Sequence, residues 1–178
     1  MTELEAPDGY LVDDAVRTIQ INGNENAQFV FTNTRKPSLR IIKTSSDGSR
    51  LKNVHFRIAK IEDGTHYLDR TTNEQGEILI ADLEPGVYSV RETATDSSHI
   101  LDLREYHMEL FAGRTSTLTI ENQKRPNLTV YKHDADTGEP IADTVFEVRA
   151  ADGHSVDQIK TDSEGKAELK NLLPGVYE

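Results

Sequence analysis

Gly86-Val87-Tyr88-Ser89-Val90-Arg91-Glu92 decides how this chain folds. The stretch leaves a turn, Glu84-Pro85-Gly86, and alternates with the two-residue period of a strand. Tyr88, Val90 and Glu92 therefore share one face, and Ser89 and Arg91 share the other. A carboxylate on the apolar face is the anomaly, because an unpaired buried charge is costly. The stretch recurs in two pieces. Leu173-Pro174-Gly175-Val176-Tyr177-Glu178 stands at one end and Met1-Thr2-Glu3 at the other. Read end to start, Tyr177, Met1 and Glu3 take the places of Tyr88, Val90 and Glu92.

Working outward, the repeat has a fixed period. Lys43 to Lys132, Gly76 to Gly165, Tyr88 to Tyr177 and Asn33 to Asn122 are each 89 residues apart, and two such periods make the 178 residues of the chain. Glu3 to Asn33 spans the same 30 residues as Glu92 to Asn122. One whole module therefore occupies 37–125. Residues 1–36 read as the C-terminal half of another, and 126–178 as the N-terminal half of a third.

The whole module begins with Leu39, Ile41 and Lys43 on one face, followed by a turn at Ser45-Ser46-Asp47-Gly48. Val54, Phe56 and Ile58 face inward on the next strand, and Glu62-Asp63-Gly64 turns again. Tyr106, Met108 and Leu110 alternate, as do Leu118, Ile120 and Asn122. In the last piece Leu128, Val130 and Lys132 repeat the first strand, and Val145 to Val148 repeat the Phe56 strand after a one-residue shift. Residues 1–36 read as two or three strands, with Ile19 and Ile21 inward, a turn at Asn22-Gly23-Asn24, and Phe29, Phe31 and Asn33 on one face. No amphipathic helical segment exceeds a turn or two. Short strands with regular turns predict an all-β sandwich.

Composition narrows the function. The net charge of −11 argues against nucleic acid or an anionic membrane as a partner through bulk electrostatics. There is no cysteine, hence no disulfide framework and no thiolate metal site. No apolar run is long enough to span a bilayer. The six histidines share no ligand spacing and read as surface residues. Asp134-Ala135-Asp136-Thr137-Gly138 lacks the downstream glutamate of a calcium loop and reads as a hairpin turn. Asn127-Leu128-Thr129 is a glycosylation sequon by pattern alone. No metal or other cofactor is expected, and no phosphate loop or nucleophile elbow is present.

The chemistry lies in polar residues on apolar faces: Lys43, Glu92 and Asn122 in the whole module, and Lys132, Glu3 and Asn33 in the split one. One such residue at a fraying strand end would reach water by snorkelling. Three of them, repeated with the same facing and spacing, point instead to an amide bond between the Lys and Asn side chains. Desolvation strips a lysine of its charge and keeps a carboxylic acid protonated. The neutral amine is a nucleophile, while the acid polarises the Asn carbonyl and shuttles protons as ammonia leaves.

These residues, the Pro85-Gly86-Val87-Tyr88 turn with Glu92, the element Glu3-Leu4-Glu5-Ala6-Pro7-Asp8-Gly9-Tyr10, and the terminal Asn33 and Asn122 together resemble the collagen-adhesin B-type repeat. It is also called the SpaA-type pilin or prealbumin-like domain of Gram-positive surface proteins. The resemblance covers essentially the whole chain. It implies an immunoglobulin-like sandwich and self-catalysed Lys43–Asn122 and Lys132–Asn33 isopeptide bonds, with Glu92 and Glu3 as the assisting carboxylates. It further implies an extracellular stalk or pilin module, attached to the cell wall in the parent protein. One departure is plain: Glu92 is followed by Thr93-Ala94-Thr95-Asp96-Ser97-Ser98-His99, without the Ala-Pro-Asp-Gly-Tyr of 6–10.

A Lys–Asn bond between the ends of the first and last strands requires those ends to be close, so neighbouring first and last strands run parallel. A module is then entered at one pole and left at the other, and its flanking halves sit at opposite poles. The expected partner is a second copy, with 126–178 of one chain joined to 1–36 of the next in an open head-to-tail filament. The plainer alternative is one period cut from a longer array, whose partners are neighbouring modules. A ligand-binding adhesin module with a host-surface ligand, or an accessory domain of a surface enzyme, would need an exposed apolar patch or a further reactive constellation, and neither is evident.

Overall fold

The computed structural model describes residues 1–23, 26, 28–62 and 66–178. Asn24 of one expected turn, and Asp63 and Gly64 of another, lie outside the described residues. Every named element is a strand, as alternating short apolar segments bounded by Gly, Asn and Asp turns require.

The chain divides into two units. The first comprises Met1–Thr44, Gly48–Thr95 and Leu101–Glu121. Its strands are β1 (Ser38–Ser45), β2 (His55–Lys60), β3 (Tyr67–Thr71), β4 (Glu77–Ile80), β5 (Gly86–Ala94), β6 (Glu105–Leu110) and β7 (Thr115–Asn122). They form a three-stranded sheet, β4-β1-β7, and a four-stranded sheet, β3-β2-β5-β6. In the second sheet Phe56 pairs with Glu92, Ile58 with Val90, and Val90 in turn with Tyr106. In the first, the Ser38 amide donates to the Arg114 carbonyl at the start of β7, and the Ser46 amide to the Asn122 carbonyl at its end. Start bonds start and end bonds end, so β1 and β7 run parallel, as the cross-link reading requires.

Twelve buried apolar residues form one core, among them Leu39 and Ile41 of β1, Phe56 and Ile58 of β2, Tyr88 and Val90 of β5, and Ile120 of β7. Fully burying an aliphatic or aromatic side chain of this size contributes roughly 1.5–3 kcal/mol.

Residues 1–36 depart from the expectation of two or three strands. Among the described residues of this segment no strand is named, and the ladder is reduced to an isolated bridge between Tyr10 and Arg35. Ile19 and Ile21 do not face inward; they are 39% and 69% exposed. The physical reason lies in the 89-residue offset: Ile19 and Ile21 correspond to Met108 and Leu110 of β6, which have the rest of a sandwich to pack against, whereas a half-module offers its apolar face no opposing sheet. Phe29 and Phe31 are half-buried against each other, with ring centroids 6.1 Å apart.

The second unit comprises Ser45–Asp47, Asp96–Ile100 and Asn122–Glu178. Its strands are β8 (Leu128–Tyr131), β9 (Val145–Arg149), β10 (Ser155–Lys160) and β11 (Lys166–Leu169). They form two two-stranded sheets, β11-β8 and β10-β9. Only Val148, Ile159 and Ala167 are buried in its apolar cluster, with Leu128, Val130, Phe146, Leu169 and Tyr177 packed against them.

Candidate functional site

Lys43 is the sixth residue of β1, on the face that also carries Leu39 and Ile41. Its backbone is clamped on both sides. The Lys43 amide donates to the Gly76 carbonyl at 2.8 Å, and its carbonyl accepts the Leu51 amide at 3.0 Å. Gly76 has φ +67°, and a Cβ there would stand 2.9 Å from the Lys43 carbonyl oxygen, so a side chain has neither the conformation nor the room. The same clamp recurs at Lys132, whose amide donates to Gly165 and whose carbonyl accepts the Ile141 amide.

The alternation of β1 and β5 sends Lys43 and Glu92 into the core, where they are 0% and 2% exposed. Lys43 Nζ lies 3.2 Å from Glu92 Oε2 and donates to the Ile120 carbonyl oxygen at 3.3 Å. Burial pushes the Lys43 amine below the usual lysine range, against the opposing pull of the Glu92 carboxylate. Ile120 belongs to β7, and Asn122 follows two residues later on the same face, 1% exposed. The sequence-predicted trio is thus the whole set of long polar side chains on buried faces of β1, β5 and β7.

Alternation could not reveal the carboxylate that accompanies them. Asp102 accepts from the Arg104 guanidinium at 2.9 and 2.8 Å and from the Tyr106 hydroxyl at 2.7 Å. These bonds, that of Arg104 foremost, hold the Asp102 carboxyl well below the usual range. Burial, with the Asp102 bond, pushes the Tyr106 phenol up to about 12. Asp102 favours the charged form of Lys43 and Arg104 opposes it. The only signal in the sequence was Asp102-Leu103-Arg104-Glu105-Tyr106, ordinary surface chemistry to a reader without the fold.

A second correction concerns His99, which was expected at the surface and is 4% exposed. Its Nε2 lies 3.0 Å from the buried Ser45 Oγ, and its Nδ1 lies 3.0 Å from both carboxylate oxygens of Asp96. The departure from the Ala-Pro-Asp-Gly-Tyr element therefore keeps the backbone hydrogen bonds of that element, although Gly9 has φ +81° and Ser98 in its place has no positive φ. His99 bridges Lys124 as Tyr10 bridges Arg35. The Ile100 amide donates to Gln123 as Leu11 does to Thr34, and Arg125 to Ser98 as Lys36 does to Gly9. Each match is 89 residues, so His99 occupies the place of Tyr10.

Of the split set, Glu3 and Asn33 are together. Glu3 Oε2 accepts from Asn33 Nδ2 at 2.6 Å and from the Asp13 amide at 2.7 Å, and Asn33 Nδ2 also donates to the Leu11 carbonyl at 3.0 Å. Lys132 belongs to the second unit and is exposed.

An all-β sandwich with parallel first and last strands and a buried Lys–Glu pair beside the last strand defines a prealbumin-like module. The family comparison agrees: the SpaA prealbumin-like fold domain matches residues 37–124 and 126–178, and the chain belongs to that family. No curated protein matches the chain. Among solved structures, the chain is similar to a streptococcal ancillary pilin, at 18% identity and a TM-score of 0.50 over 98% of this chain and 62% of that one. It is similar to the shaft pilin SpaA of Lactobacillus rhamnosus GG, at 15% identity and a TM-score of 0.51 over 79% and 85%. With the Bacillus anthracis TIE protein it shares 27% identity over 75% of this chain, at a TM-score of 0.49. The chain spans a quarter of the TIE protein and under two-thirds of the ancillary pilin.

Proposed function

We propose that this chain is a structural stalk module of a Gram-positive cell-surface protein, pilin-like and extracellular, made rigid by a self-formed Lys43–Asn122 isopeptide bond. The observation that carries the reading is the fully buried Lys43 amine 3.2 Å from Glu92, on a strand that neighbours the one ending in Asn122. Glu92 accepts a proton from the Lys43 ammonium. The neutral amine attacks the Asn122 side-chain carbonyl carbon, a new C–N bond forms, and the Asn122 nitrogen departs as ammonia, leaving Glu92 protonated. The fold supplies the effective concentration of the two partners. The reaction happens once per module, and the chain is not an enzyme acting on an external substrate. Cell-wall attachment belongs to the parent protein.

The split set carries the finer part of the proposal. Residues 126–178 of one copy and 1–36 of the next complete a module and form a Lys132–Asn33 bond assisted by Glu3, giving a head-to-tail filament. Supporting it, Glu3 and Asn33 are already hydrogen-bonded to each other at 2.6 Å.

Intact mass under denaturing conditions tests both. A monomer lighter by one ammonia, with the mass restored by Lys43→Ala, supports the internal bond. Multimers lighter by a further ammonia per junction and abolished by Lys132→Ala support the filament. An unreacted monomer mass overturns both bonds.

A further inference from the structure

β9 has a backbone edge that is paired only in part. β2 is paired on both sides, to β3 and to β5. Its counterpart β9 pairs with β10, and beyond that, among the described residues, the last residues of the chain alone pair with its backbone. Those residues reproduce the start of β5. Ala150 bridges Tyr177 as Lys60 pairs with Tyr88, the Ala151 amide donates to Val176 as Ile61 does to Val87, and Tyr177 donates its hydroxyl proton to the Leu173 carbonyl as Tyr88 does to Glu84. The register of a β5-like strand is thus set on β9, while 145–148 still present an unpaired edge.

The continuation of that strand is equally recognisable. Val90 pairs with Tyr106 in the whole module, and the equivalent pair 89 residues earlier is Met1 and Arg17. These two exchange both backbone hydrogen bonds, the Met1 amine donating to the Arg17 carbonyl at 2.6 Å and the Arg17 amide to the Met1 carbonyl at 2.9 Å. Met1 is held against Arg17 as Val90 is held against Tyr106.

We propose that the segment beginning at Met1 of a second copy docks on the β9 edge as an added strand, with Met1 opposite Val148, Thr2 opposite Glu147 and Glu3 opposite Phe146. This deepens, and rests on, the complementation reading above. The offsets give those pairs from Ile58–Val90, Arg57–Arg91 and Phe56–Glu92. The faces agree: Met1 adds apolar surface to the small cluster around Val148, Glu3 points inward, and Thr2 and Glu147 point to solvent. The occupant is a copy of this chain because the donor and acceptor registers are both written in it.

The chain has no cysteine, so an engineered pair reports cleanly. The test is the Thr2→Cys/Glu147→Cys chain in a Lys132→Ala background, oxidised mildly and resolved without reductant. The expected result is a ladder of disulfide-linked multimers, lost on reduction, with peptide mapping that links position 2 to position 147. The Thr2→Cys/Val145→Cys chain, two residues out of register on the same face, loses that ladder. Absence of the 2-to-147 link, or an equal yield from the shifted pair, overturns the register. Lys132-dependent multimers without the 2-to-147 link would leave complementation standing and this register wrong. The link without ammonia loss in the Lys132 parent would leave the register standing and the covalent junction wrong.

Discussion

Lys43 and Glu92 show how much burial changes the environment of an ordinary side chain. Each is an ordinary surface residue by type. Taken out of water and placed 3.2 Å apart, they form a buried pair in which burial lowers the pKa of the lysine against the opposing pull of the carboxylate. Glu92→Gln keeps the shape and removes the proton acceptor. The expected outcome is a folded protein that retains its ammonia, read by intact mass, with the rate of loss lowered by about two orders of magnitude or more. His99 makes a different prediction. His99→Ala strands the buried Ser45 hydroxyl, a loss of roughly 1–3 kcal/mol, checked by denaturant unfolding. Asp102 contributes to the acid sensitivity of the fold. Its folded-state pKa is depressed below the unfolded 3.8, so its stabilisation is complete above that value and is lost as pH falls toward the folded one. Asp102→Asn should flatten the stability–pH curve below roughly pH 4 and leave its shape near neutrality unchanged, which urea unfolding across pH would show.

At the scale of elements, the site is held by a turn as much as by strands. The Gly76 turn closes over the Lys43 carbonyl, and Thr72 beside it satisfies the Val54 amide and the Leu51 carbonyl. Gly76→Ala demands a positive φ of a residue with a Cβ and pushes that Cβ into the carbonyl. A loss of roughly 1–3 kcal/mol is expected in thermal unfolding, with slower ammonia loss because Lys43 shifts with its backbone. The periodicity of β1, β2, β5 and β7 was fully legible, because each has one buried face and one wet face. Residues 1–36 carry the same alternation without becoming strands. Alternation states which side would be buried; only a neighbouring sheet makes the burial happen. That is why Ile19 and Ile21 are exposed while Met108 and Leu110, 89 residues later, pack against a core.

For the whole molecule, the parallel pairing of β1 and β7 makes the proposed bond a clamp between the two ends of one module. Closing the loop from Lys43 to Asn122 should stabilise by about 4–5 kcal/mol in the chain-entropy account. The matured protein should therefore melt well above the Lys43→Ala variant. Equal melting temperatures with a confirmed ammonia loss would show that the constraint acts elsewhere than on the unfolded chain. In a stalk such a bond lies across the line of pull, because the chain enters β1 and leaves β7 at opposite poles.

The amino-acid sequence by itself determined the 89-residue period, the strand faces of the central module, and the three polar residues, Lys43, Glu92 and Asn122, that break those faces. It could do so because side-chain alternation and spacing are local properties of the chain. The tertiary structure alone decided which of them meet: that β1 and β7 are parallel neighbours, that Glu3 already holds Asn33, that the Asp102 charge acts on the lysine, and that His99 turns inward to take the place of Tyr10. Those facts depend on residues 30 to 80 positions apart being brought within a hydrogen bond of one another, and no local pattern encodes a distance of that kind.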